Sequence, residues 1–253
     1  IALISASISS SVINFAKEGS INMKLCGLQK TTLLDFPGKV AATIFTGGCS
    51  FACPFCHNSE LLGRDTEALC SQEEVMTFLE KRKNILEGVC ITGGEPTLQP
   101  DLEDFIRFVR SLGLAVKLDT NGYQPNVLIN LCEKGLLDYV AMDIKAGKSH
   151  YAHVSGRTGL NLERIDQSIR FLLNGSVPFE FRTTVVKGLH DKSDFEEIGP
   201  WIQGCGQYFL QSYQESGQVL SPDSCKSFSR EEMEEFARIV SPYAGIVRLR
   251  GID

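Results

Sequence analysis

No run of apolar residues in this 253-residue sequence reaches the ~18–20 that a membrane-spanning helix requires, so a helical span is not expected. A basic excess is missing too. Against 31 Asp and Glu stand 25 Lys and Arg, a net charge of −6, so the bulk composition offers nothing to neutralise phosphates and argues against a nucleic-acid binder. There is no internal repeat, low-complexity segment or linker, and the chain reads as one domain. Nor is there a disulfide framework. The nine cysteines are odd in number and, outside one cluster, scattered singly, which points away from a secreted scaffold and toward the cytoplasm. Cys90 (GVCITGG) and Cys132 (LINLCEKG) sit in apolar patterns and are expected as small buried hydrophobes. Residues 1–22 lack both an initiating Met and the basic start of a secretory leader. They are rich in Ser and Ile, unlike MKLCGLQKTTLLDFPGKV, which begins at Met23. We read 1–22 as a non-native or disordered N-terminal extension and 23–253 as the single domain.

What the sequence does have is alternation. Short β-rich runs at 41–46, 88–92, 115–120, 139–145, 179–186 and 207–213 alternate with amphipathic stretches at 71–84, 99–113, 125–135, 161–175, 193–204 and 229–240, and a last strand is expected at 245–250. Gly113, Gly135 and Gly175 stand where helix stops are expected. Six βα units in series predict an α/β fold, a parallel sheet with helices outside, wound into a partial (β/α)6 barrel; a full eight-unit barrel would need more units than follow Met23. The strands also alternate in character. Val140, Met142 and Ile144 share one face of their strand, and Tyr139, Ala141, Asp143 and Lys145 the other. Lys117 and Asp119 oppose Val116 and Leu118, while Glu180, Arg182 and Thr184 oppose Phe179 and Phe181. A dry barrel core would not hold so many unpaired charges, so the interior is expected to be a ligand cavity. Asp119, Asp143 and Lys145 fall near the C-terminal strand ends, where parallel α/β folds bind ligands.

The stretch GGCSFACPFCHN, 47–58, follows the first of these runs and places Cys49, Cys53 and Cys56 in C-x3-C-x2-C spacing, with His57 next. Four chemistries compete for it. CPFCH has the form of a haem c attachment site, but that needs export and leaves Cys49 idle. A C-x-x-C redox pair has no use for a third cysteine. Zinc could take three thiolates and His57, but adjacent residues rarely ligate one tetrahedral ion. An iron–sulfur cube held by three cysteines would leave one iron open to a substrate or cofactor.

This motif, with Phe55 before its last cysteine, resembles that of the radical S-adenosylmethionine (SAM) superfamily. The resemblance continues through GGEP (Gly93–Pro96), LDTNG (118–122) and MDIKA (142–146). Within the superfamily, CHN, DTNG and MDIK are similar to the activases of glycyl radical enzymes. The opening LQKTTLLDFPGKVAATIFTGGCSFACPFCHNSELL, with RTTVVKGLHD and VRLRGID, is similar to the longer-variant activators of anaerobic ribonucleoside-triphosphate reductase. It covers 23–253. Some activases insert a ferredoxin-like module between the first two motifs; here 57–89 contains only Cys70, so one cluster is expected.

The resemblance implies that Cys49, Cys53 and Cys56 ligate three irons of one [4Fe–4S] cluster and that SAM binds the fourth. Phe55 would pack beside the adenine, and His57 would contact the cofactor or hold a structural hydrogen bond. Gly93 and Gly94 would let the backbone approach the methionine moiety. Glu95 would accept a hydrogen bond from a neighbouring segment. Asp119, Thr120 and Asn121 would form a SAM or monovalent-cation site with Asp143, or else a plain Asx turn before Gly122. Lys145 would pair with the SAM carboxylate or with Asp143, and His190 would reach the ribose or carboxylate. Glu180 and Arg182 have no firm assignment, and His150 and His153 none. The implied reaction is reductive cleavage of SAM to a 5′-deoxyadenosyl radical that takes hydrogen from a glycine of the partner enzyme, with reduced flavodoxin or a similar protein as electron donor. Anaerobic ribonucleotide reductase is the expected partner, with pyruvate formate-lyase or a small-molecule substrate as alternatives. A non-enzymatic iron–sulfur or zinc protein is the reading of another class.

Overall fold

The computed structural model describes residues 22–63, 67–214 and 219–252. Except for Asn22, which donates its backbone N–H to Asp101, the segment expected to be an extension lies outside the described residues.

One eight-stranded sheet runs in chain order: β1 (Leu25–Thr32), β2 (Ala41–Thr46), β3 (Gly88–Gly93), β4 (Ala115–Thr120), β5 (Tyr139–Asp143), β6 (Phe179–Val185), β7 (Gln207–Ser212) and β8 (Ile246–Arg250). From β2 to β8 every pair is parallel. Each strand from β2 to β7 is followed by helix: α1 (Gln72–Arg82), α2 (Leu102–Ser111), α3 (Pro125–Glu133), α4 (Tyr151–Val154) with α5 (Leu162–Asn174), α6 (Lys192–Trp201) and α7 (Arg230–Val240). These are the six expected βα units. Among the described residues β1 and β8 do not pair, so the sheet does not close on itself.

The sequence pattern did not announce β1, which pairs antiparallel with β2. Its register shifts between Leu25 and Gly27 and again between Gln29 and Thr32, and such bulges erase the period-2 signature of a strand. The turn after β1 sends Phe36 under the barrel, where its ring lies 6.4 Å from that of Tyr139 at the start of β5.

Local chemistry sets the helix starts. Ser71, Asp191 and Ser229 each form a capping box with Glu74, Asp194 and Glu232, and Asn161 accepts from the Glu163 amide at the start of α5. Gly113 and Gly135 end α2 and α3 with positive φ. Gly175 does not: its φ is −84°, extended rather than left-handed. Helix α2 buries Phe105, Ile106, Phe108 and Val109 completely. Each such side chain contributes ~1.5–3 kcal/mol of apolar burial. Val116 and Leu118 on the neighbouring strand β4, and Val140 and Met142 on β5, are fully buried as well. Cys90 is fully buried as expected, whereas Cys132 is only partly so.

The interior faces carry charge, but it is not unpaired. The Lys117 ammonium contacts Asp119; Arg182 reaches Asp119 at 3.2 Å and Asp143 at 2.8 Å; Lys145 lies 2.9 Å from Asp143. Lower in the barrel, Arg250 grips the buried Glu180 with two bonds of 2.9 and 3.1 Å, and Tyr139 donates to the same carboxylate at 3.1 Å. The polar faces therefore form a paired network along the barrel axis.

Candidate active site

The C-terminal strand ends and the loops after them enclose a cavity of ≈ 260 Å³. The parallel register aligns these ends: Thr46 pairs with Gly93, Thr120 with Met142 and Asp143 with Arg182. The cysteine loop leaves β2 and crosses the mouth, so Cys49, Cys53 and Cys56 share the wall with Asp119, Asp143 and Lys145.

Two glycines position the second motif against the first. Gly93 has φ +116°, and a Cβ there would stand 2.3 Å from the Thr46 nitrogen. A Cβ on Gly94 would stand 2.2 Å from the Gly48 carbonyl oxygen. Two backbone bonds seal this approach: Gly94 N–H to Thr46 O and Glu95 N–H to Gly48 O, both 2.8 Å. The glycines are needed because the chain's own backbone occupies the space a side chain would take.

Glu95 is 1% exposed. Its carboxylate accepts from the Asn121 amide and the Thr120 hydroxyl, both at 2.7 Å, and from Thr97. Burial pushes its carboxyl pKa up, against the pull of those donors. It thus ties the loop after β3 to the turn after β4. Within that turn Asn121 Oδ1 accepts from the Tyr123 amide at 2.9 Å, so the Asx turn is present, while its Nδ2 reaches back to Ser50 Oγ at 3.1 Å.

The charged wall is preset. Burial would raise the Asp143 carboxyl, but Arg182 and Lys145 hold it down to about 2. Burial would lower Lys145, but Asp143 beside it holds the ammonium well above its usual range. At neutral pH all three are charged. The Arg182 guanidinium bridges Asp119 and Asp143. Phe55 and His57 also line the cavity, and the His57 ring stacks on Tyr213 at 5.4 Å. His190 does not line it. Buried, it bonds through Nε2 to the Lys145 carbonyl at 2.7 Å and through Nδ1 to the Val186 amide at 3.1 Å, which places it behind Lys145. Arg182 and Thr184, placed on an inward face but without a role, line the cavity as well, as does Gln211, which the sequence did not single out. Their inward alternation on β6 and β7 was the available signal.

The donor set fits a cluster better than a single ion. Burial raises all three cysteine thiols, Cys49 to about 12 and Cys53 to about 11, so thiolates form here only with a strong positive charge beside them. One tetrahedral zinc would draw three sulfurs together at Zn–S bonds of ~2.3 Å. Among the described residues, the only trio of His, Cys, Asp or Glu whose ligand atoms lie within 4.8 Å of one another is His150, Asp191 and Asp194, so the cysteine sulfurs are spread more widely. That spacing suits a polynuclear centre. Within the His150 trio, Asp194 is occupied by the Gly147 and Asp191 amides and by His150.

A candidate glycyl-radical enzyme activating enzyme of Methanocaldococcus jannaschii is 29% identical over 232 residues, 90% of this chain and 95% of that protein. The pyruvate formate-lyase-activating enzyme of Clostridium pasteurianum is 25% identical over 68% of this chain and 72% of its own length. A protein of Thermococcus kodakarensis named for GTP 3′,8-cyclase activity is 29% identical, over 58% of this chain and 47% of its own. Among solved structures, Streptococcus suis SuiB bound to S-adenosylmethionine superposes with a TM-score of 0.63 at 14% identity, covering 81% of this chain and 48% of that one, a likeness of fold. The sequence pattern of the Radical SAM superfamily matches residues 43–199, more than half the chain, which therefore belongs to that superfamily of enzymes, whose cofactors are a [4Fe–4S] cluster and S-adenosylmethionine.

Proposed function

We propose that this chain is an activase that generates the glycyl radical of a partner enzyme, and that the partner is anaerobic ribonucleoside-triphosphate reductase. The observation that carries the activase reading is extent. Similarity to the Methanocaldococcus activating enzyme runs nearly end to end in both chains, whereas the cyclase relative shares little more than half of this one. The partner is named on the DFPG-to-CHN opening, on DTNG with MDIK, and on the absence of a cysteine-rich insert, since 57–89 contains only Cys70.

Cys49, Cys53 and Cys56 would hold the cluster, and the cavity beside them would hold SAM. When bound and reduced, by flavodoxin or a similar donor, this pair supplies a carbon-centred radical able to take a hydrogen atom. The protein's own part is orientation and exclusion of water. Lys145 would present its ammonium to the SAM carboxylate, and Asp143, held by Arg182, keeps that ammonium in place. Glu95 fixes the two loops that flank the methionine end. Phe51 and Phe55 give the mouth an apolar rim. Among the described residues the outer edges of β1 and β8 have no partner strand, and a glycine-bearing loop of the partner would enter between them.

The test is anaerobic. Protein reconstituted with iron and sulfide, reduced and given SAM, is mixed with the anaerobic ribonucleotide reductase of the same organism and examined by electron paramagnetic resonance (EPR). A stable doublet from a glycyl radical is expected. SAM cleavage with no radical on that reductase, but a radical on another glycyl radical enzyme, would replace the partner and keep the activase. Cleavage with no radical on any such enzyme would overturn both.

A further inference from the structure

The segment after α4 grips the back of the cysteine loop. The Ala52 amide donates to Ser155 O at 3.0 Å, and a Cβ on Gly156 would meet the Ala52 carbonyl oxygen at 2.1 Å. The Arg157 guanidinium donates through Nη1 to Ser50 O at 2.6 Å, one residue from Cys49. Arg157 is also stacked 4.4 Å from the Tyr123 ring centre, and Arg164 lies 4.7 Å from the same centre.

This arrangement is electrostatically incomplete. Two guanidinium groups share one aromatic ring, and their mutual repulsion opposes that placement. Among the described residues, neither has a carboxylate within 4.0 Å, although the protein carries more acids than bases. Arg164 bonds to the neutral Gln124 side chain, and the Arg157 Nε is buried with no hydrogen-bond partner. Arg157 and Arg164 are half-buried; elsewhere at this end of the barrel the cations are matched by carboxylates, Lys145 by Asp143, and Arg182 by Asp119 and Asp143.

We infer that the counter-charge of Arg157 is the cluster itself, and that Arg157 is a positioning residue which sets the cluster's reduction potential as well as the shape of its loop. The inference rests on the cluster assignment made above. Three thiolates with their iron–sulfur core carry net negative charge, which grows by one on reduction. A fixed cation bonded to the loop's carbonyl stabilises the reduced form more than the oxidised form and raises the potential. Arg164, across the Tyr123 ring, adds to the same field from farther away.

Arg157→Met removes the charge and keeps the stem; Arg157→Lys keeps the charge and loses the planar fork. Iron content, potentiometric titration followed by EPR, and hydrogen exchange of the Ala52 amide in the metal-free protein are measured for both. Arg157→Met is expected to retain iron and to show about a tenfold lower ratio of reduced to oxidised cluster at fixed solution potential, a shift of ~59 mV for a one-electron couple. Its Ala52 amide exchanges faster. Arg157→Lys restores the potential, while its amide still exchanges fast. A wild-type potential in Arg157→Met, or equal loss of iron in both variants, overturns the electrostatic role. Wild-type protein that takes up no iron fails the cluster assignment instead, and is told apart by that result alone.

Discussion

In the proposed activase, Lys145 is the residue that would orient the cofactor. It is one of two cations facing the cavity from strand ends, and its partner Asp143 is shared with Arg182. Removing Lys145 therefore leaves no buried charge without a partner, because Arg182 still neutralises Asp143. Lys145→Ala is expected to leave iron content unchanged and to weaken SAM binding about tenfold, or ~1.4 kcal/mol, in an equilibrium titration. Unchanged affinity would make Lys145 a structural partner of Asp143 only. The cysteines differ in kind, since a methyl cannot ligate iron. Cys49→Ala, Cys53→Ala or Cys56→Ala should each bring reconstituted iron from about four per chain to near zero, while Cys70→Ala keeps it. Loss of iron in Cys70→Ala as well would show that the cluster draws on a ligand outside the motif. His190 illustrates a limit of reading residues singly. Its position after β6 suggested a cofactor contact, but both ring nitrogens are engaged behind Lys145.

At the scale of elements, two loops of the site approach each other closely, that after β3 and that after β2. Gly94→Ala would place a methyl 2.2 Å from the Gly48 carbonyl oxygen, and backbone cannot yield as a flexible side chain can. The variant is expected to lose iron on reconstitution and to melt several degrees lower, as ~1–3 kcal/mol of overpacking would cause. Gly113→Ala, at a helix end with open space around its Cβ, bears only the φ penalty and should keep its iron. Equal iron in wild type and Gly94→Ala would mean that the two loops are not coupled. The βα units were legible in the sequence because each pairs a period-2 run with a period-3.6 run, and the cavity because Asp119, Asp143 and Lys145 on the inward faces fall near the same end. Strand β1 was not legible, because its bulges break that alternation. Nor was the grip of Arg157 on Ser50, which joins residues 107 apart by contacts that follow no periodic rule.

At the scale of the whole molecule, the open edge between β1 and β8 separates this barrel from a closed one. No helix among the described residues is long and apolar enough to cross a membrane. A closed barrel would admit only small substrates through its mouth; an open one admits a loop of polypeptide, as the proposed activation requires. The proposed activation requires a hydrogen atom to pass from a glycine Cα of the partner to a radical formed in this cavity. The most direct measurement is isotopic. Partner reductase carrying glycine deuterated at Cα is activated by the reduced protein with SAM, and the 5′-deoxyadenosine formed is analysed by mass spectrometry. One deuterium per molecule of 5′-deoxyadenosine, in step with the growth of the glycyl radical doublet, is predicted. 5′-Deoxyadenosine free of deuterium, or formed at the same rate without any glycyl radical enzyme present, would contradict it.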